Sequence, residues 1–200
     1  ENCRLDQGDD GFCMKSGENA EGRRRARPTK DVLIRNCTVV NGHTLLGIGS
    51  ELSGGIENIT LENCKVEGEV WRVLFIKTNP ARGGYVKGVK VRNVKAMRTK
   101  CSIFEIMSDY QWLKRDKPLN PPIVHTQIED VTVENVVERK LFTVTKPELE
   151  GVTITGGDNV REGKPYTFSI TVSEIYDASN MEVKVNDERV DLTNGSYTIP

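Results

Sequence analysis

Apolar and polar residues alternate in short runs that recur along the first two thirds of the chain. Val32-Leu33-Ile34-Arg35-Asn36-Cys37, Ile59-Thr60-Leu61-Glu62-Asn63-Cys64, Val89-Lys90-Val91-Arg92-Asn93-Val94 and Val131-Thr132-Val133-Glu134-Asn135-Val136 share one pattern, and Val152-Thr153-Ile154-Thr155-Gly156 is a weaker fifth copy. Period two over four to six residues predicts half-buried strands. Glu1-Asn2-Cys3 reads as the tail of another copy, and the Asn residues at 2, 36, 63, 93 and 135 follow one another at steps of 34, 27, 30 and 42. Such steps centre on one coil of a parallel β-solenoid with loops inserted into some coils. A polar residue recurring at one place in each coil predicts a stacked ladder of side-chain amides. The predicted fold class is all-β, a right-handed parallel β-helix over residues 1–150.

From about Val152 the pattern changes. Turn clusters at Gly156-Gly157-Asp158 and Glu162-Gly163-Lys164-Pro165 precede runs at Tyr166–Val172 and Met181–Val185, and two shorter strands are expected at Arg189–Leu192 and Tyr197–Ile199. Residues 151–200 are therefore expected to form part of an immunoglobulin-like β-sandwich, an accessory module with fewer strands than a whole one. The opening in mid-coil leads us to expect a piece of a longer protein, on which an absent leader says nothing.

Composition narrows the function classes. With 36% hydrophobic residues, the repeats bury a core only by stacking. Lys and Arg total 28 against 29 for Asp and Glu, a balance that offers no global field for nucleic acid or an anionic membrane. No stretch approaches the roughly 20 apolar residues of a membrane span. Cys3, Cys37 and Cys64 share a repeat position and are expected as inward core filler about 4.8 Å apart. Cys13, Cys101, His43 and His125 follow no metal-ligand spacing.

Candidate chemistry gathers at Gly8-Asp9-Asp10-Gly11, Gly42-His43 and Ile76-Lys77, one site per coil. Two carboxylates, an imidazole and an ammonium can protonate a leaving oxygen, activate water and hold an anionic sugar. Crowded carboxylates repel, which is expected to raise the pKa of one and leave the other ionised. The flanking glycines would permit the bend that brings both into one cleft. Taken alone, the same residues also fit a calcium-binding or simple turn. The run Arg23-Arg24-Arg25-Ala26-Arg27 is either a basic rim for an acidic polymer or a solvated loop.

The runs Gly8-Asp9-Asp10-Gly11-Phe12-Cys13-Met14-Lys15-Ser16-Gly17, Gly42-His43-Thr44 continuing to Ile48-Gly49-Ser50-Glu51-Leu52-Ser53-Gly54-Gly55-Ile56, and Phe75-Ile76-Lys77-Thr78 with Arg82-Gly83-Gly84-Tyr85-Val86 resemble the polygalacturonases and related pectin hydrolases of glycoside hydrolase family 28. The resemblance covers roughly residues 1–140. It implies hydrolysis of α-linked galacturonic acid with inversion, without a metal or other cofactor. It gives Asp9 the role of general acid and Asp10 a share in activating the water. His43 would support the acid and touch sugar, and Lys77 would bind the substrate carboxylate. A further family Asp, in an Asn-Thr-Asp motif one coil earlier, has no counterpart here, so these 200 residues alone are expected to be inactive.

Two departures stand out. Thr44 stands where family members often have Gly, and Phe75 replaces the Arg of the common Arg-Ile-Lys motif. Phe75 is a candidate for stacking on sugar, and Arg82 for recovering the lost charge. Tyr110, with Trp112, fits either sugar stacking or loop packing. The segment 15–28 is similar to a long loop of bacterial exo-acting members, which implies exo action. The implied partner is an acidic plant polysaccharide such as pectin, galacturonan or rhamnogalacturonan. The implied location is secreted, periplasmic or cell-surface. The competing readings are a non-catalytic polysaccharide-binding scaffold and a calcium-dependent pectate lyase on the same scaffold.

Overall fold

A computed structural model describes residues 1–111, 124–174, 181–186 and 188–199. The chain divides into two units, residues 1–138 and 139–200.

The first unit contains β1 (Arg4–Leu5), β2 (Phe12–Met14), helix α1 (Asn19–Arg25), β3 (Thr29–Arg35), β4 (Thr38–Val39), β5 (Thr44–Gly49), β6 (Ile56–Glu62), β7 (Lys65–Lys77), β8 (Tyr85–Met107) and β9 (Gln127–Glu138). Every strand pairing in it is parallel, and the pairings fall into three columns. One column joins β2 to β5, β7 and β8 through Leu46, Leu74 and Phe104. The second joins β3 to β6, β8 and β9 through Val32, Ile59, Val89 and Val131. The third runs from Arg4 through Thr38 and Lys65 to Lys95 and Val137. Strands β7 and β8 pass from one column to the next, so the chain winds as a parallel β-solenoid.

The predicted repeats are these coils. Their apolar positions interlock in one core, with Ile59, Leu61, Val89 and Val91 all buried. Each repeated Asn turns the corner: Asn2, Asn36, Asn63, Asn93 and Asn135 have φ between 47° and 57°, a left-handed conformation that Asn tolerates better than most residues. The amide ladder is present where Asn135 Nδ2 donates to Asn93 Oδ1 (2.8 Å) and Asn93 Nδ2 to Asn63 Oδ1 (3.1 Å). A second left-handed column at Asp31, Asn58, Gly88 and Asp130 was not anticipated. Cys37 and Cys64 are buried as expected, and burial pushes the Cys64 thiol up to about 11. Cys3 is instead exposed, because its coil lies at the edge of the described stack.

The second unit contains β10 (Leu141–Thr143), β11 (Val152–Gly156), β12 (Asn159–Arg161), β13 (Tyr166–Val172), β14 (Lys184–Val185), β15 (Glu188–Arg189) and β16 (Ser196–Ile199). All its pairings are antiparallel, in three small sheets. Val152–Gly156, a weaker copy of the coil pattern that lies past residue 150, pairs antiparallel with β13 in this unit. The change of unit falls at 138/139, ahead of the expected 150.

Candidate active site

The first column positions the site. Between β2 and β5, Cys13 lies opposite Gly47, which lies opposite Phe75 and then Glu105, while Gly49 lies opposite Lys77. The loop carrying Asp9 and Asp10 leads into β2 and is tied to the loop before β5. The His43 amide donates to the Asp9 carbonyl (2.8 Å), and the Gly11 amide to the Thr44 carbonyl (2.7 Å). The Gln7 side-chain amide donates to the carbonyls of Asp10 and Gly11.

Within this frame the two carboxylates part company. Asp10 turns inward and forms an ion pair with Lys77, whose side chain is 8% exposed against 9% for Asp10. Gly47 makes room for it: a Cβ there would lie 2.8 Å from Asp10 Oδ2. Asp9 turns outward, 87% exposed, with Oδ1 3.2 Å from His43 Nδ1. The Asp10 amide donates to the same Oδ1 (2.8 Å) and, aided by the His43 and Lys77 charges, holds Asp9 below the ordinary carboxylate range. Asp9 is therefore not the raised acid expected of the pair. Each carboxylate has its own partner, Lys77 for Asp10 and His43 for Asp9.

Phe75 and Tyr110 join the cluster. Phe75 is buried, meets Tyr110 edge-on with ring centroids 6.0 Å apart, and has Lys77 Nζ 5.5 Å from its ring centre. Lys77 Nζ is also 5.5 Å from the Tyr110 ring. Tyr110 is anchored by its amide to the Thr78 carbonyl (2.9 Å). Trp112 lies outside the described residues.

Arg82 does not supply the second cation expected on the substrate face. Its guanidinium is 2% exposed and bonded to Glu18 Oε1 (2.6 Å), Asn19 Oδ1 (2.6 Å) and Ser50 Oγ (3.2 Å), so its charge is committed to holding the start of α1. The Arg run is likewise partly used within the fold. Arg23 donates to the carbonyls of Ala81 and Arg82, while Arg24 and Arg25 pair with Glu21. Among the described residues no group of three or more His, Cys, Asp and Glu side chains is placed to hold a metal.

Two contributors went unnoticed in the sequence. Trp71, 42% exposed, stands with its ring centroid 4.5 Å from that of His43. Arg72 lies with its Cζ 4.2 Å from the centre of the Phe75 ring. A register shift between Val70 and Arg72 delivers both, and the amides of both donate to the His43 carbonyl. Such irregularities commonly re-aim side chains beside active sites. Nothing in the alternating pattern marks this one, because Val70 to Phe75 reads as an ordinary apolar strand.

A parallel β-solenoid that gathers two carboxylates, an imidazole and an ammonium on one face has the makings of a polysaccharide-processing protein. The family model for glycosyl hydrolases family 28 matches residues 1–160, and the chain belongs to that family. It is 34% identical over 162 residues to a probable polygalacturonase of Vitis vinifera, a match covering 78% of this chain and 32% of that protein. It is also similar to the crystal structure of a hyperthermoactive exopolygalacturonase from Thermotoga maritima, at 32% identity and a TM-score of 0.57 over 67% of this chain and 29% of the other. The chain thus spans about a third of the length of these relatives.

Proposed function

We propose that the whole protein carrying this chain is a glycosidase that hydrolyses α-linked galacturonic acid in pectin-type polysaccharides, with inversion and from the chain end. The observation that carries this reading is the separation of Asp9 and Asp10 into two differently partnered carboxylates within a family of glycosyl hydrolases. Asp10, held by the Lys77 ammonium, suits a carboxylate that orients the attacking water. Asp9, solvent-facing and in contact with His43, suits the group that meets the glycosidic oxygen. A sugar seated over Asp9 would strip its water and raise its pKa, bringing it toward the protonated form a general acid needs. The family's third carboxylate would come from chain outside these 200 residues, so we expect them to be inactive alone. Exo action is supported by the likeness to the exopolygalacturonase of Thermotoga maritima and by the α1 segment, clamped against the turn at 81–82 through Arg23.

We further read residues 139–200 as part of a β-sandwich accessory module, and the protein as secreted, periplasmic or surface-bound, where pectin is found. Product analysis tests the proposal. The whole protein should release monogalacturonate from polygalacturonic acid with the β-anomer appearing first in proton NMR. Larger oligomers as first products would refute exo action, an α-anomer would refute inversion, and no reducing sugar from any galacturonan would refute the activity. A non-catalytic polysaccharide-binding role is the second reading, favoured by the low pKa of the exposed Asp9. In that case, replacing Asp9 would leave function untouched.

A further inference from the structure

Phe75 removes a guanidinium from the motif that precedes Lys77, yet a guanidinium stands over its ring. Arg72 reaches it from three residues upstream, aimed by the register shift after Val70. Its Nε donates to Glu105 Oε2 (2.5 Å), which also accepts from Ser102 Oγ (3.3 Å). The hydrogen bond from Arg72, aided by its charge, keeps the Glu105 carboxyl below its usual range. Among the described residues no hydrogen bond engages the two terminal amino groups of Arg72. Its plane is therefore fixed by an aromatic ring and a carboxylate, while the side chain keeps 12% of its surface exposed and, among the described residues, no hydrogen bond holds its Nη edge. That edge is the part of a guanidinium that grips a carboxylate at two points.

We propose that Arg72 is the specificity-determining residue for a uronic acid with a free carboxylate, gripping it through the Nη edge while Glu105 and Phe75 hold the guanidinium in place. Lys77 is committed to Asp10, so it orients that carboxylate and adds only field at the sugar. A fork immobilised before binding loses little side-chain entropy when the sugar arrives. Unesterified galacturonic acid fits this site and its methyl ester does not, because the ester carries no charge and one fewer strong acceptor.

The inference rests on the pectin-directed reading, and the experiment separates the two. Calorimetry on the whole protein, carrying Asp9→Asn so that nothing is consumed, compares an unesterified oligogalacturonide with its methyl ester. Arg72→Gln should weaken binding of the free acid by at least about tenfold, the loss of one charge-assisted bidentate contact. Binding of the ester should stay within about twofold. Arg72→Lys should recover part of the loss. Glu105→Gln keeps the cation and the fold, and should weaken the free acid alone by a smaller factor, so the test survives if Arg72→Gln fails to fold. Equal loss on both ligands, or none on either, overturns the role of Arg72 while leaving hydrolysis by the wild-type protein standing. No binding of either ligand and no wild-type turnover overturns both readings.

Discussion

The space that a side chain at Gly47 would fill is taken by the carboxylate of Asp10. Gly47→Ala should therefore push Asp10 off Lys77 and lower turnover by the whole protein by about a hundredfold, the scale expected for an ångström of misplacement. Its circular dichroism should not change. Asp9 makes the complementary case. Its pKa is lowered chiefly by the Asp10 amide and further by His43. Carbon NMR of this chain should show Asp9 titrating below the ordinary aspartate range, and His43→Ala should move its midpoint upward. Because folding favours the ionised form, Asp9 adds stability above the ordinary aspartate pKa, and that contribution disappears as pH falls through the lowered one. The individual residue types were legible in the sequence: Asp9, Asp10, His43, Lys77, Phe75 and Tyr110 all meet in one cluster. Arg82 was misjudged because a charge five residues beyond Lys77 in sequence says nothing about which acid lies within its reach.

At the scale of the element, the Asn corners join backbone geometry to side-chain bonding. Asn93 has φ 55° and is bonded to Asn63 and Asn135. Asn93→Ala should cost about 1–3 kcal/mol in urea denaturation, combining left-handed strain with lost amide bonds. Asn93→Gly should cost less, since glycine removes the strain and only the bonds are lost. Coil repeats of this kind are legible because the same apolar positions must stack in every turn. Irregularities are not, because a register shift is written in the pairing of two strands rather than in either one. The placing of Trp71 and Arg72 depends on such a shift, and Val152–Gly156 carries the coil pattern yet pairs antiparallel with β13.

At the scale of the whole molecule, 28 basic and 29 acidic residues leave specificity to local arrangement rather than to net field. The solenoid supplies that arrangement by stacking β2, β5, β7 and β8 so that residues distant in sequence share one face. Under the reading proposed above, Asp9 and Asp10 serve as acid and base in a glycosidase. Its most direct test is reducing-end release from polygalacturonic acid by the whole protein and its Asp9→Asn and Asp10→Asn variants, with ligand binding measured in parallel. We expect turnover in the wild type, a fall of about a hundredfold or more in each variant, in line with general acid–base catalysis, and retained binding. Undiminished turnover in either variant, or none in the wild type on any galacturonan, would contradict the account.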